Sequence, residues 1–230
     1  MPLNRLTENV YELRPQRLGA CRVYVVIDGG RWLLIDAGNH RRTPAQVAAL
    51  RRELGLGPPE VLLITHWHPD HLGGSADLRR AWGVPVALHA ADHDCAAGRV
   101  RPSLSSIGWA EHHFADNHPR YFEPDLAPAD GDEFRVGSLS VRAVHSPGHS
   151  PGHTAYYLAE RGVLFIGDAL GGKGGTILGD PRLFSSAPAA SLASLKRLSG
   201  LDFAWLAAGH QLHHSPELPA LLRRWTARWR

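Results

Sequence analysis

The segment Thr65-His66-Trp67-His68-Pro69-Asp70-His71 packs three imidazoles and a carboxylate into a short stretch. In an extended chain, residues two apart face the same side, so His66 and His68 can converge on one cation. Pro69 forces a change of direction, which lets Asp70 and His71 face a second cation beside the first. Imidazole nitrogens with carboxylate oxygens suit zinc, iron or manganese. Four donors do not fill two sites, so the rest of the chain must supply more. His149 lies in the turn Ser146-Pro147-Gly148-His149-Ser150-Pro151-Gly152-His153, Asp168 follows the apolar run Val163–Gly167, and His210 follows Phe203–Ala208. Strand ends gathered at one edge of a sheet sandwich would bring these groups together.

The elements that must hold them are legible as patterns. Val23–Ile27 and Trp32–Ile35 flank Asp28-Gly29-Gly30, the signature of a hairpin with a Gly-rich turn. Thr43-Pro44 predicts a helix start with Thr43 as N-cap, and Val47, Leu50 and Leu54 recur at helical spacing up to Gly55–Pro59. Val61–Ile64 reads as a buried strand running into His66, followed by a helix over 71–82 and a strand over Pro85–His89. Residues 98–130, with Trp109, His112, His113, His118 and Tyr121, lack periodicity; so long a loop suggests a lid or a solvated surface. Strands follow near 133–136, 139–144, 154–159 and 163–167, then the stretch Gly171-Gly172-Lys173-Gly174-Gly175, a helix near 188–199, a strand near 203–207 and a terminal helix from 216. The halves echo one another. Each has a hairpin ending in an acidic turn (Ile35-Asp36; Gly167-Asp168), a helix, and a strand running into histidine (Thr65-His66; Gly209-His210). The expected architecture is a single two-lobed domain over 1–230 with its site where the halves meet.

Composition excludes several classes. With 230 residues, 43% hydrophobic and 20% charged, the chain suits a packed domain rather than a disordered one. No apolar run approaches the roughly 18 residues of a membrane span, and the N-terminus lacks the apolar stretch of a secretory signal, so a cytoplasmic location is the expectation. Cys21 and Cys95 are the only cysteines; they read as small buried residues, which excludes a disulfide framework. A net charge of +3 spread along the chain argues against nucleic acid. The 15 histidines exceed what a core needs, and because histidine is the commonest metal ligand their positions decide the question.

The motifs resemble those of the metallo-β-lactamase superfamily. Its HxHxDH signature stands here as His66, His68, Asp70 and His71; its SPGH ligand corresponds to His149, its GD bridging aspartate to Asp168, and its C-terminal GH ligand to His210. The resemblance implies an α/β (α+β) fold, a four-layer αββα sandwich of two mixed sheets flanked by helices. It also implies two divalent metal ions, zinc first, with iron or manganese as alternatives. By that analogy His66, His68 and His149 hold one ion, Asp70, His71 and His210 the second, and Asp168 bridges them. A shared water made acidic by two ions would attack a carbonyl or phosphoryl centre, with Asp70 orienting it and taking its proton.

Departures from subfamily patterns narrow the expectation. The zinc β-lactamases generally carry cysteine or serine where Asp168 stands, which argues against antibiotic hydrolysis. Glyoxalase II enzymes share the ligand set but follow the bridging aspartate with a Cys-Gly-rich, basic segment and end in a helical glutathione-binding domain; Leu170–Gly175 and the chain length do not match. Quorum-quenching lactonases often place tyrosine where Gly171 stands. The expectation is a small hydrolase of an ester, thioester or lactone. Its alternatives are an iron-dependent persulfide dioxygenase, a phosphodiesterase or nuclease, and a binding module without activity. Lys173 is a candidate for binding a substrate carboxylate or phosphate. His153, His145, His213, His214 and Asp36 read as supporting or surface residues rather than ligands. The terminal helix, with Leu218, Leu221 or Leu222, Trp225 and Trp229 on one face, reads as an outer layer of the sandwich. Trp109, Trp225 and Trp229 are candidates for a homodimer interface.

Overall fold

In the computed structural model the described residues are 3–13, 21–38, 42–100, 121–170 and 185–228. Strands β1 (Leu3–Arg5), β2 (Val10–Leu13), β3 (Val23–Asp28), β4 (Arg31–Ile35), β5 (Leu62–Leu63) and β6 (Val86–Ala87) form one sheet in sequence order. The second sheet has the order β12-β11-β10-β9-β8-β7, from β7 (Glu133–Val136), β8 (Leu139–His145), β9 (Thr154–Leu158), β10 (Val163–Gly167), β11 (Trp205–Ala208) and β12 (Leu212–His214). Both sheets are mixed: antiparallel neighbours give way to parallel pairing at β4–β5–β6 and at β10–β11. The echo between the halves is therefore real, since β4 and β10 are each followed by an aspartate, Asp36 and Asp168, and pair in parallel with the strand that leads to histidine.

Period-two alternation builds the layers. Tyr24, Val26, Leu33 and Ile35 face inward and meet Val141, Ala143, Tyr156, Phe165 and Ala207 of the other sheet. Val23, Val25, Trp32 and Leu34 face outward, where α1 (Thr43–Leu54), α3 (Ser75–Trp82) and α4 (His93–Ala96) cover them through Val47, Leu50, Leu78 and Ala96. On the far side, Leu164, Ile166 and Leu206 lie under Leu195 and Leu198 of α5 (Pro188–Leu198) and under Leu218, Leu222 and Trp225 of α6 (Leu218–Thr226). The result is the four-layer αββα sandwich. Two tyrosines tie the sheets at the end that carries the histidines: Tyr24 Oη donates to Ala208 O at 2.7 Å and Tyr156 Oη to Ile64 O at 3.1 Å.

Several expectations need correction. Thr43 is the first residue of α1 rather than its cap; Arg42 holds the cap position without a side-chain bond, and Thr43 is buried beside Gly38. The helix expected over 71–82 is two helices, α2 (Pro69–Leu72) and α3, because Gly74 N bonds to Gly38 O at 3.0 Å and leaves the helical ladder. A β-carbon at Gly74 would overlap the Ala37 carbonyl, so only glycine permits this crossing. Strands β1, β2 and β12 were not expected. In β2 the buried Glu12, paired with Arg22, hides the apolar alternation. Trp225 is buried against α5 and its sheet. Among the described residues no helix is long and apolar enough to cross a membrane. Trp109, His112, His113, His118, Lys173 and Trp229 lie outside the described residues.

Candidate metal centre

Short strands deliver the donors to one rim. Beyond β5 the chain bends at Thr65 and Trp67, and His68, with φ −61° and ψ 145°, hands over to Pro69 at the first position of α2. Pro69 fits there because its fixed φ suits a helix start and its missing N–H has no partner to lose. That turn swings Asp70 and His71 away from the His66–His68 direction. His149 follows β8, Asp168 follows β10 and His210 follows β11.

All seven residues named from the sequence come together. Ligand atoms of His66, His68 and His149 lie within 4.8 Å of one another, as do those of Asp70, His71 and His210, and those of His66, His71 and Asp168. His68 Nδ1 and His149 Nε2 stand 2.9 Å apart. Asp168 occupies the middle: Oδ1 is 3.4 Å from His71 Nε2, while Oδ2 is 3.3 Å from His210 Nε2 and 4.0 Å from His149 Nε2. Asp70 Oδ2 lies 3.1 Å from His210 Nε2. His66 and His71 form a fully buried floor, whereas the His210 side chain is 34% exposed and Asp70 29%, so the centre opens on their side.

Two observations test whether these residues fit metal. First, His66 Nε2 and His71 Nε2 are buried ring nitrogens without a hydrogen-bond partner. An unsatisfied buried polar group costs about 1–3 kcal/mol; a cation accepting the lone pair removes that cost. Second, the charges are divided. Burial and the neighbouring imidazoles His71, His68 and His149 push the His66 pKa well down, and burial with His149 does the same to His68, so both are neutral and ready to ligate. At the other group burial opposes ionisation of Asp70, yet His71 and His210 outweigh it and hold the carboxyl at about 2. Asp168, its burial likewise outweighed by His210 and His71, is held well below the usual carboxylate range, and in turn raises His210 to about 10. Buried carboxylates accumulating at one point call for compensating positive charge. The donor set fits metal ions.

Supporting contacts fix the ring orientations. Asp36 Oδ2 accepts from His71 Nδ1 at 2.8 Å, which turns His71 Nε2 toward Asp168. Asp36 itself sits at φ 61°, a left-handed conformation that aspartate tolerates, and its Oδ1 accepts from Thr65 N at 2.8 Å. His153, read from the sequence as a supporting residue, is fully buried with Nδ1 2.9 Å from Ser146 Oγ, and burial holds its pKa down at about 3. His145 stacks on His89, and His214 on Trp205, away from the donors. Gly209 is a glycine for want of space, since a β-carbon there would overlap Asp168 Oδ1 and lie 2.5 Å from His71 Cε1. Two neighbours escaped the sequence reading. Cys21 Sγ lies 3.4 Å from His71 Nδ1, and Asp92 grips both histidine-bearing loops; neither carries a local pattern that announces it.

The model of the metallo-beta-lactamase superfamily matches residues 17–210. The chain belongs to this superfamily. It is 34% identical over 173 residues to a hydroxyacylglutathione hydrolase of Cereibacter sphaeroides, covering 71% of this chain and 56% of that one. It is 30% identical over 203 residues to an atrochrysone carboxyl ACP thioesterase of Claviceps purpurea, covering 87% and 53%. The chain thus spans about half the length of the curated relatives it matches. Among solved structures, TTHA1623 in a di-iron-bound form superposes with a TM-score of 0.68 at 31% identity, covering 89% of this chain and 94% of that one. Its histidine and aspartate groups fit the metal ions that this superfamily uses.

Proposed function

We propose that this chain is a dinuclear metal-dependent hydrolase of acyl esters, with thioesters as the preferred class and other esters or lactones as lesser substrates. The observation that carries the reading is the position of Asp168, whose two carboxylate oxygens face His71 on one side and His210 and His149 on the other. A carboxylate placed so suits a bridge between two ions. His66, His68 and His149 would hold one, and Asp70, His71 and His210 the other, most simply zinc. When bound, such a pair supplies Lewis acidity toward a substrate carbonyl and lowers the pKa of water to about 7. The chain's own residues do the rest. Asp36 keeps the His71 proton on Nδ1. Asp70, with Oδ2 committed toward His210, leaves Oδ1 to orient the attacking water and accept its proton. The open side at His210 and Asp70 admits a small-molecule substrate, and one domain over 1–230 suffices to build the site.

The thioester preference is supported by the names of the relatives, a hydroxyacylglutathione hydrolase and a carboxyl ACP thioesterase. The test is metal content per chain by elemental mass spectrometry on protein purified without added metal, followed by turnover of acyl-thioester and oxygen-ester pairs. Two equivalents of zinc with faster thioester cleavage are expected. A single iron per chain with persulfide-dependent oxygen uptake overturns the hydrolase reading.

A further inference from the structure

The second half of the Ser-Pro-Gly-His repeat supplies no member of the donor groups, yet Ser150 and Gly152 converge on one residue. Asp92, fully buried, closes a single helical turn (Ala90–Asp92) after β6. Its Oδ2 accepts from Ser150 Oγ at 2.6 Å and from Trp67 N at 3.3 Å, and its Oδ1 accepts from Gly152 N at 2.7 Å. Trp67 lies between His66 and His68, and Ser150 follows His149. One carboxylate from the turn after β6 therefore grips both segments that carry the histidine-only group. Gly152 has no room for a side chain, because a β-carbon would stand 2.6 Å from Asp92 Cγ.

We infer that Asp92 is the positioning residue that sets the spacing of His68 and His149 across the junction of the two sheets. This rests on the reading that His66, His68 and His149 hold an ion. A carboxylate suits this position because the two backbone N–H groups that reach it, Trp67 N on Oδ2 and Gly152 N on Oδ1, can only donate, and each finds its own acceptor oxygen. An amide has one acceptor oxygen, so although its NH2 can donate to the Ser150 hydroxyl it must also face Trp67 N or Gly152 N, which pushes one of the two gripped segments away. Asp92 is bonded to groups that flank the histidines, Trp67 N, Ser150 Oγ and Gly152 N, and so acts through the geometry it imposes on their segments.

The experiment uses the full chain loaded with zinc, challenged with a chromophoric chelator, and the cobalt(II)-loaded chain read by its absorption spectrum. The equivalent missing from His149→Ala identifies the histidine-only group. Asp92→Asn is expected to weaken that equivalent about 10–100-fold, the usual effect of losing a partner that orients ligands, and to shift the cobalt absorption, while the other equivalent stays put. Ser150→Ala, which removes a single bond, is expected to act in the same direction and less. Wild-type affinity and spectrum in Asp92→Asn, or equal weakening of both equivalents, would overturn the inference. If Asp92→Asn does not fold, Ser150→Ala decides, and unchanged affinity overturns it. A wild-type chain that binds neither zinc nor cobalt overturns the metal reading itself, an outcome distinct from normal binding with an indifferent Asp92.

Discussion

Replacing Asp36 by asparagine isolates the effect of one proton. The side chain keeps its shape, and asparagine accepts the left-handed backbone at φ 61° as readily as aspartate does. Thr65 N, a fixed donor 2.8 Å from Oδ1, requires the amide oxygen at that position. The NH2 then replaces Oδ2 and faces His71 Nδ1 at 2.8 Å. Two results are open to the pair. If His71 keeps its proton on Nδ1, two buried donors oppose each other at a cost of about 1–3 kcal/mol. If the proton moves to Nε2, the lone pair aimed at Asp168 is lost and His71 no longer ligates. Either route weakens the group of Asp70, His71 and His210 by roughly 10–100-fold, or about 1.4–2.8 kcal/mol. The assay is chelator competition for zinc on Asp36→Asn, with kcat measured at saturating metal and thermal unfolding as a control for the fold. Selective loss at that group, with kcat reduced and unfolding little changed, is expected. Wild-type affinity for both equivalents would refute the reasoning.

Two further outcomes follow from the geometry. Gly209→Ala drives a methyl into Asp168 and His71; it is expected to cost about 1–3 kcal/mol in denaturant unfolding and to strip the metal equivalent they share. Without metal, His210 has a pKa raised to about 10 by Asp168, so its contribution to stability is complete below its unfolded value of 6.5 and is lost as the pH rises through 10. Asp70, depressed to about 2, contributes above 3.8 and loses its contribution as the pH falls through 2. The unfolding temperature of chelator-stripped protein should therefore fall between about pH 6.5 and 10, whereas zinc, by displacing the His210 proton, should abolish that fall. A flat alkaline profile in the stripped protein would count against the ion pairing.

The sequence by itself picked out the candidate donors and most of the elements that carry them. Ligation chemistry depends on residue type, and Pro69 after an extended His-x-His is a local instruction for a turn, so His66 to His71 announced themselves. The apolar runs Val23–Ile27 and Trp32–Ile35 on either side of Asp28-Gly29-Gly30 likewise announced a hairpin, because turn chemistry is a local property. The short outer strands were less legible: Glu12 is buried beside Arg22, and a pattern of polar residues cannot reveal a partner ten positions away. Only the tertiary structure decided which oxygen of Asp168 faces which histidine, that Asp36 Oδ2 stands 2.8 Å from His71 Nδ1, and that Gly74 breaks the helix by crossing the Ala37 carbonyl. Asp92 is the plainest case. Nothing in His89-Ala90-Ala91-Asp92-His93 marks it, and its donors Trp67, Ser150 and Gly152 are brought to it only when the two sheets pack. Hydrogen bonding between distant segments is a consequence of how layers meet, and the order of residues along the chain does not encode that meeting locally.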